Sequence, residues 1–478
     1  VGVFPKDNKV VVGKNRNIRC DGVYSAGKFE FFGSKFDFNY EEFNVDMPIV
    51  DSVQIWSNSA KRDNRGKYLE RRVLTKLEGL KGKLQIDIAE NKSGRFDIPR
   101  FPIFDSEQTS YAYYDKNEIL NKVYPRDKFY FQIDPFEFDS LDKVSNDQIR
   151  FDGTFVSAGI FPDFEETLTL QEDNSLGLKR QTGEGGVPAY GGKGTYKQEI
   201  RLSHEGLRGG GVLNYLTATA ASDDFIFYPD SVNTVTKAFE IEEQVSPVEY
   251  PTVNAQEVFM HWMPYTDEMQ VNTIEGKEPF NMYAGVSEHE GQLQYTPSGL
   301  TGSGVNSFEG AKLKSDRMDF KFYELFADTA DFELATDSLF ETVAFSTVGI
   351  NAHIDFKERV AKCKSNGEPA LTTFDQVQYQ AYLDRFTWYM DSESVEFSSE
   401  GGEVDQGTES IELEGSKFTS IHPKQDSLSW YAKSAIYDLA QHKIDAKEVE
   451  FIDVADARVF PGDGGVTILK QADMVPLE

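Results

Sequence analysis

The feature that most constrains this chain is that it repeats itself. Gly206-Leu207-Arg208-Gly209-Gly210-Gly211-Val212 returns 93 residues later as Gly299-Leu300-Thr301-Gly302-Ser303-Gly304-Val305. At the same offset Ser222-Asp223 maps onto Ser315-Asp316, Phe227 onto Phe320, and Phe239-Glu240-Ile241 onto Phe332-Glu333-Leu334. Upstream, Tyr190 and Gly192 map onto Tyr283 and Gly285. So many landmarks in one register read as a duplicated unit of about 93 residues, with units near 190–282 and 283–375. Shorter echoes widen the pattern: Asp21-Gly22-Val23-Tyr24-Ser25-Ala26-Gly27 against Asp152-Gly153-Thr154-Phe155-Val156-Ser157-Ala158-Gly159, and a further Gly-Leu-x-Gly opening at Gly79-Leu80-Lys81-Gly82. A unit of this length is too long for one solenoid coil and suits a meander of several strands.

The units themselves read as β-sheet. Phe29-Glu30-Phe31, Phe36 to Tyr40, Phe129 to Ile133 and Phe136-Glu137-Phe138 are short aromatic runs, and Asp319-Phe320-Lys321-Phe322 alternates polar and apolar side chains. Period two places one side chain in the core and the next in water. Asn91-Lys92-Ser93-Gly94 and Gly183-Glu184-Gly185-Gly186 supply turn chemistry between runs. Thr372 to Tyr389 and Leu428 to Ala440 also admit a helix, although neither carries a cap. The fold expected is all-β: an elongated, repetitive β-sheet array of solenoid, jellyroll or groove-like form. Three regions are expected: residues 1–145, a β-repeat region; 146–395, the duplicated region; and 396–478, a β-rich segment continuing beyond the sequence. The polar stretches Asp139 to Arg150 and Glu396 to Glu409 are the candidate joints.

Charge narrows the partners. Eighty acidic side chains against 49 basic ones give a formal charge of −31. That weighs against nucleic acid, whose binding depends on neutralised phosphates, and against a basic face docked on anionic lipid. The 37 Phe and 22 Tyr supply a core that a disordered chain would lack. Cys20 and Cys363 lie too far apart in unrelated contexts to suggest a disulfide framework or a zinc site, and read as two isolated buried thiols. No run approaches the roughly 18 apolar residues of a membrane-spanning helix. The opening Val1-Gly2-Val3-Phe4-Pro5 is already strand-like, so the chain reads as a piece of a longer protein or a processed one.

The last eighty residues keep their own cadence: Ala435 to Leu439, Ile444 to Val449, Ile452 to Val459, then Gly465 to Ile468. This rhythm resembles the lipopolysaccharide-transport jellyroll (OstA-like) and AsmA/TamB-like groove proteins. The Gly-Leu-x-Gly units with their Ser-Asp and aromatic strands resemble long repetitive envelope proteins of Bacteroidota. The resemblances imply a bacterial envelope β-protein, periplasmic or extracellular, and carry no catalytic signature.

Each candidate for chemistry competes with a structural use. Of the six histidines (His204, His261, His289, His353, His422 and His442), His353 and Asp355 share a strand face and have metal-ligating side chains, while His289 sits between Glu288 and Glu290. Gly302-Ser303-Gly304 fits a tight turn better than a nucleophile elbow, and Gly209-Gly210-Gly211 lacks the Lys-Ser/Thr of a phosphate loop. Asp223 with Asp224, Asp163 with Glu165, and Asp453 with Asp456 are carboxylate pairs of the kind glycoside hydrolysis needs, but Asp224 becomes Arg317 in the second copy. Acids at Asp391 to Asp405 and at Pro461-Gly462-Asp463-Gly464 keep calcium in view without matching an EF-hand. Trp262, Trp388 and Trp430, with Tyr389 and Tyr431, suit either a sugar platform or the core, and the core is favoured.

The sequence therefore predicts no catalytic residue, no cofactor and no enzyme. It predicts a scaffold of the cell envelope that docks other envelope or surface proteins. A lipid-conducting groove and a carbohydrate-binding or carbohydrate-active protein are the alternatives.

Overall fold

The computed structural model describes residues 1–62, 64–66, 68–336, 343–398 and 415–477. Among them regular structure is almost wholly strand, arranged as a continuous, repeating antiparallel array. The one α-helix among the described residues is the single turn Ala89–Lys92. The two stretches that admitted helices are strands instead: Ala370–Phe374, Tyr379–Leu383 and Arg385–Tyr389 in one, Ser429–Ala432 and Ser434–Asp438 in the other. Tyr379, Ala381 and Leu383 alternate inward with exposed or half-exposed neighbours, so period two prevails over helix propensity. The chain divides into two compact units. The first comprises Val1–Tyr215, Ala221–Thr234 and Met263–Thr266; the second comprises Leu216–Ala220, Val235–Trp262 and Asp267–Glu478.

In the first unit Ile18–Ala26, Phe29–Asn39, Asn44–Arg62 and Leu77–Gln85 pair in chain order as an antiparallel meander. Their aromatic runs form its core. Phe31 meets Phe104 with ring centroids 4.6 Å apart, and Phe29 meets Phe138 at 5.0 Å. Each such pair adds about 0.5–1.5 kcal/mol beyond the area it buries.

One device recurs in both units: a long strand whose two ends pair with different short strands. In the first unit Gly194–Ser203 pairs with Val187–Ala189 through one end and with Leu176–Gln181 through the other. In the second, Ser287–Thr296 is shared in the same way between Phe280–Met282 and Glu268–Asn272. A strand that changes partners along its length turns a corner between layers, which leaves an inner face on each side to be filled.

The terminal cadence comes from such a corner. Val343–Asp355 pairs with Val360–Ser365 at one end and with Ala370–Phe374 at the other. The chain then feeds hairpins alternately to two ladders. One continues through Arg385–Tyr389, Ser394–Ser398, Ser434–Asp438, Lys443–Lys447 and Val466–Ile468. The other continues through Tyr379–Leu383, Ser416–Ser420, Ser429–Ala432, Ile452–Val454 and Ala457–Val459. Aromatics close the space between the ladders: Phe374 meets Phe397 at 5.3 Å and Tyr437 at 5.5 Å. Residues 399–414, on which most of the expected Glu396 to Glu409 joint falls, lie outside the described residues.

Elements also recur at the offset read in the sequence. Gly194–Ser203, Gly206–Tyr215 and Ala218–Phe227 stand 93 residues before Ser287–Thr296, Gly299–Phe308 and Ala311–Phe320 in order. The Tyr190 hydroxyl donates to the Ser231 carbonyl at 2.7 Å, and the Tyr283 hydroxyl to that of Glu324 at 2.8 Å. Farther on the strands differ. Glu324–Ala335 is one strand, whereas Val232–Val235 and Ala238–Ile241 are two.

Candidate functional site

The glycine runs are not turns, contrary to the sequence reading. Both lie inside strands, Gly206–Tyr215 and Gly299–Phe308, and the second crosses a β-bulge where the pairing slips between Gly302 and Gly304. A Cβ on Gly304, at φ 132°, would stand 2.1 Å from the Glu290 carbonyl oxygen. One on Gly209 would stand 2.2 Å from the Tyr196 hydroxyl. These glycines exist because neighbouring backbone and rings fill the place of a side chain. The bulge also explains the acids beside them. Asp316 and Arg317 are consecutive yet both exposed, as are Asp223 and Asp224.

The carboxylate pairs are engaged structurally or stand open to solvent. Asp224 receives Arg208 at 2.5 Å and Arg201 at 3.4 Å. Asp453 pairs with Arg458 across a hairpin at 2.9 Å, with Asp456 in the turn between them. Asp163 and Glu165 are exposed at the start of Phe164–Leu170. Asp391 is held by Arg359 at 2.5 Å, and the same guanidinium grips both oxygens of Glu309. Asp463 accepts the Gly465 amide at 2.9 Å, which accounts for it as a turn residue.

The histidines scatter. His353 Nε2 lies 2.9 Å from Glu324 Oε1, and its ring stacks on Phe326 at 4.3 Å. Asp355 is spent on the amides of Lys357 and Glu358 at 2.9 Å each. His289 is fully buried while Glu288 and Glu290 point outward, so the Glu-His-Glu triplet does not converge. Burial first lowers its pKa to about 4, against carbonyls of Gln292 and Ser303 that pull the other way. Burial also lowers His442, whose Nδ1 faces the Tyr437 hydroxyl at 3.3 Å, and His204. His422 Nδ1 accepts the Lys424 amide in a turn, and His261 is half-buried in Phe259–Met263. Among the described residues no three His, Cys, Asp or Glu side chains gather as a metal would require. The Asp391 to Asp405 stretch lies partly outside them.

Trp262, Trp388 and Trp430 are core residues, 0%, 3% and 1% exposed, and Trp430 lies flat on Phe418 with centroids 4.6 Å apart. Cys20 and Cys363 are free and buried; burial pushes the Cys363 thiol far up, so it holds no ready thiolate. No helix among the described residues is long and apolar enough to cross a membrane.

Two features of the first unit were not read from the sequence. One is a groove of about 780 Å³ beside Arg19, Lys35, Asp37, Lys81 and Glu107. Its rim is laced by ion pairs, Arg19 with Asp37 at 2.7 Å and Lys81 with Glu107 at 3.0 Å. The other is a protruding hairpin of Asn44–Arg62 and Tyr68–Arg72 rich in Lys and Arg. The signal that would have found it is local charge, which the total of −31 conceals.

The chain matches no protein family, and comparisons with curated proteins and with solved structures return no match.

Proposed function

We propose that this chain is a non-enzymatic structural or interaction component of a bacterial cell envelope or surface, a β scaffold that docks partner proteins on its outward strand faces. The observation that carries the reading is the division of labour across each strand. Inward side chains interlock as aromatic cores, and candidates such as Asp224 and Asp355 are engaged in an ion pair and a turn. What remains for recognition is polar surface, as in arrays whose neighbouring elements supply one another's core. Matching strand bounds and tyrosine anchors support a duplicated unit of about 93 residues as its building block. The envelope location rests on the resemblances in the sequence, and the three regions 1–145, 146–395 and 396–478 rest on its repeats and polar joints.

Native mass spectrometry of the chain purified gently from its own cells, with lipid analysis of the same sample, tests this. Stoichiometric protein partners without lipid are the expected result. Stoichiometric lipid overturns it in favour of a lipid-conducting groove. A chain without partner or lipid that hydrolyses or retains glycans overturns it in favour of carbohydrate chemistry.

A further inference from the structure

Charge is unevenly divided along the chain. Residues 1–100 carry 19 basic and 14 acidic side chains, whereas residues 101–478 carry 30 basic and 66 acidic. Part of the basic excess stands on one element. Asn44–Arg62 runs on past its sheet and returns as Tyr68–Arg72, pairing Trp56 with Arg72, Ser57 with Arg71, and Arg62 with Tyr68. Every residue of Tyr68–Arg72 is exposed, including Tyr68 at 43% and Leu69 at 46%. The base of this ribbon is packed, with Ser57 buried against Asn174, but its outer end from Ala60 to Arg62 is exposed, and a two-stranded ribbon left open to water gains from being covered.

Two of its arginines are preorganised over aromatic rings. The Arg62 guanidinium lies over the Tyr68 ring at 4.2 Å, and that of Arg72 over Trp56 at 5.0 Å. Arg72 approaches Glu30 no closer than 4.0 Å. Lys61 and Arg71 have no acidic partner among the described residues.

The second unit carries the complement. Between residues 238 and 311 the sequence has 12 acids and one basic residue, Lys277. Register sets Glu240 beside Asn254, Asn254 beside Asn281, and Asn281 beside Glu288, one exposed row across the strands. Glu290 lies two residues along the same face as Glu288. No cation pairs with Glu240, Glu288 or Glu290 among the described residues.

We propose that Lys61, Arg62, Arg71 and Arg72 of the basic hairpin dock on the acidic face of Glu240, Glu288 and Glu290 in a second copy of this chain. The inference rests on the docking reading above and names one partner for it. Chains of charge −31 repel one another at long range, so association needs a local patch of opposite sign, and the hairpin is one. The two surfaces differ, so the contact is heterologous and copies add head to tail.

Sedimentation velocity of the purified chain tests it at about 0.01 M salt, where screening extends about 30 Å, and at about 1 M, where it extends about 3 Å. Concentration-dependent association is expected at low salt and monomer at high salt. Lys61→Glu with Arg71→Glu, or Glu240→Lys with Glu288→Lys, each weakens association by about tenfold or more. Mixing the two double variants restores it, because each supplies the surface the other has lost; all of these side chains are exposed, and circular dichroism checks that the fold survives. A wild-type chain that is monomeric at low salt overturns the proposal, as does association that both double variants leave intact. Retention of a labelled oligonucleotide by the hairpin of a monomeric chain overturns it too and reassigns the hairpin to nucleic acid. None of these results touches the scaffold reading, which fails only on the lipid or glycan outcomes given with it.

Discussion

Tyr196 and His289 occupy corresponding places, 93 residues apart, on strands of the same length. The Tyr196 hydroxyl donates to the Glu199 carbonyl at 2.8 Å, and its ring meets Phe227 edge-on at 5.0 Å. His289 Nε2 faces the Gln292 carbonyl at 3.3 Å, and its ring meets Phe320 edge-on at 5.3 Å. The cross-strand neighbour of Tyr196 is Leu213, whereas that of His289 is Asn306, whose buried Oδ1 finds no hydrogen-bond partner among the described residues. The same contacts are thus made by different chemistry: a neutral aromatic core in one unit, a titratable polar one in the other. The difference teaches that this backbone plan fixes where a ring must sit and what it must touch, but not which ring it is.

The comparison breaks first at the bulge glycines. Gly304→Ala is expected to destabilise the second unit by about 3 kcal/mol, since its Cβ would meet backbone at a positive φ. Denaturant unfolding should show an earlier transition for that unit; an unchanged midpoint would mean that the strands part freely there.

Acid comes next, and it should separate the two rings. The folded pKa of His289, about 4, lies below the usual 6.5, so the unfolded chain binds the extra proton first. Stability attributable to it is complete above about pH 6.5 and declines as pH falls toward 4, by about 3 kcal/mol in all. His289→Tyr, which installs the first unit's residue, should flatten that part of the profile. A wild-type profile identical to that of the variant would show that His289 does not control it.

A smaller effect lies at Gln198, which holds a φ of 88°, whereas Gly291, 93 residues on, has 143°. Gln198→Gly is expected to relieve strain and raise the stability of the first unit by about 1 kcal/mol, read as a shift in its unfolding midpoint. The smallest effect belongs to Arg359, which joins Glu309 and Asp391 on a wet surface. Arg359→Ala should cost less than about 1 kcal/mol in thermal unfolding, and that cost should shrink with added salt.

Much of this fold was legible. Phe29, Phe31, Phe36, Phe129 and Phe131 announced their strands because alternation and burial are the same physical fact, and all five are buried. Thr372 to Tyr389 was ambiguous for the converse reason: short apolar runs fit either period until partners are known. Gly302 to Gly304 reads as a turn yet forms a strand bulge, since a turn and a close backbone approach both select glycine. The basic hairpin was missed because a net charge is a sum, and Lys61, Arg62, Arg71 and Arg72 vanish in a total of −31.

By itself the sequence determined the β class, the alternating inner and outer faces and the two isolated thiols. Each follows from local periodicity or composition, which needs no knowledge of what packs against what. Only the tertiary structure decided that long strands turn corners between layers, that Asp224 and Asp355 are consumed by arginines and turn amides, and that Glu240 and Glu288 share one face. Those outcomes depend on cross-strand register, which joins residues far apart in the chain through backbone hydrogen bonds that carry no side-chain signature.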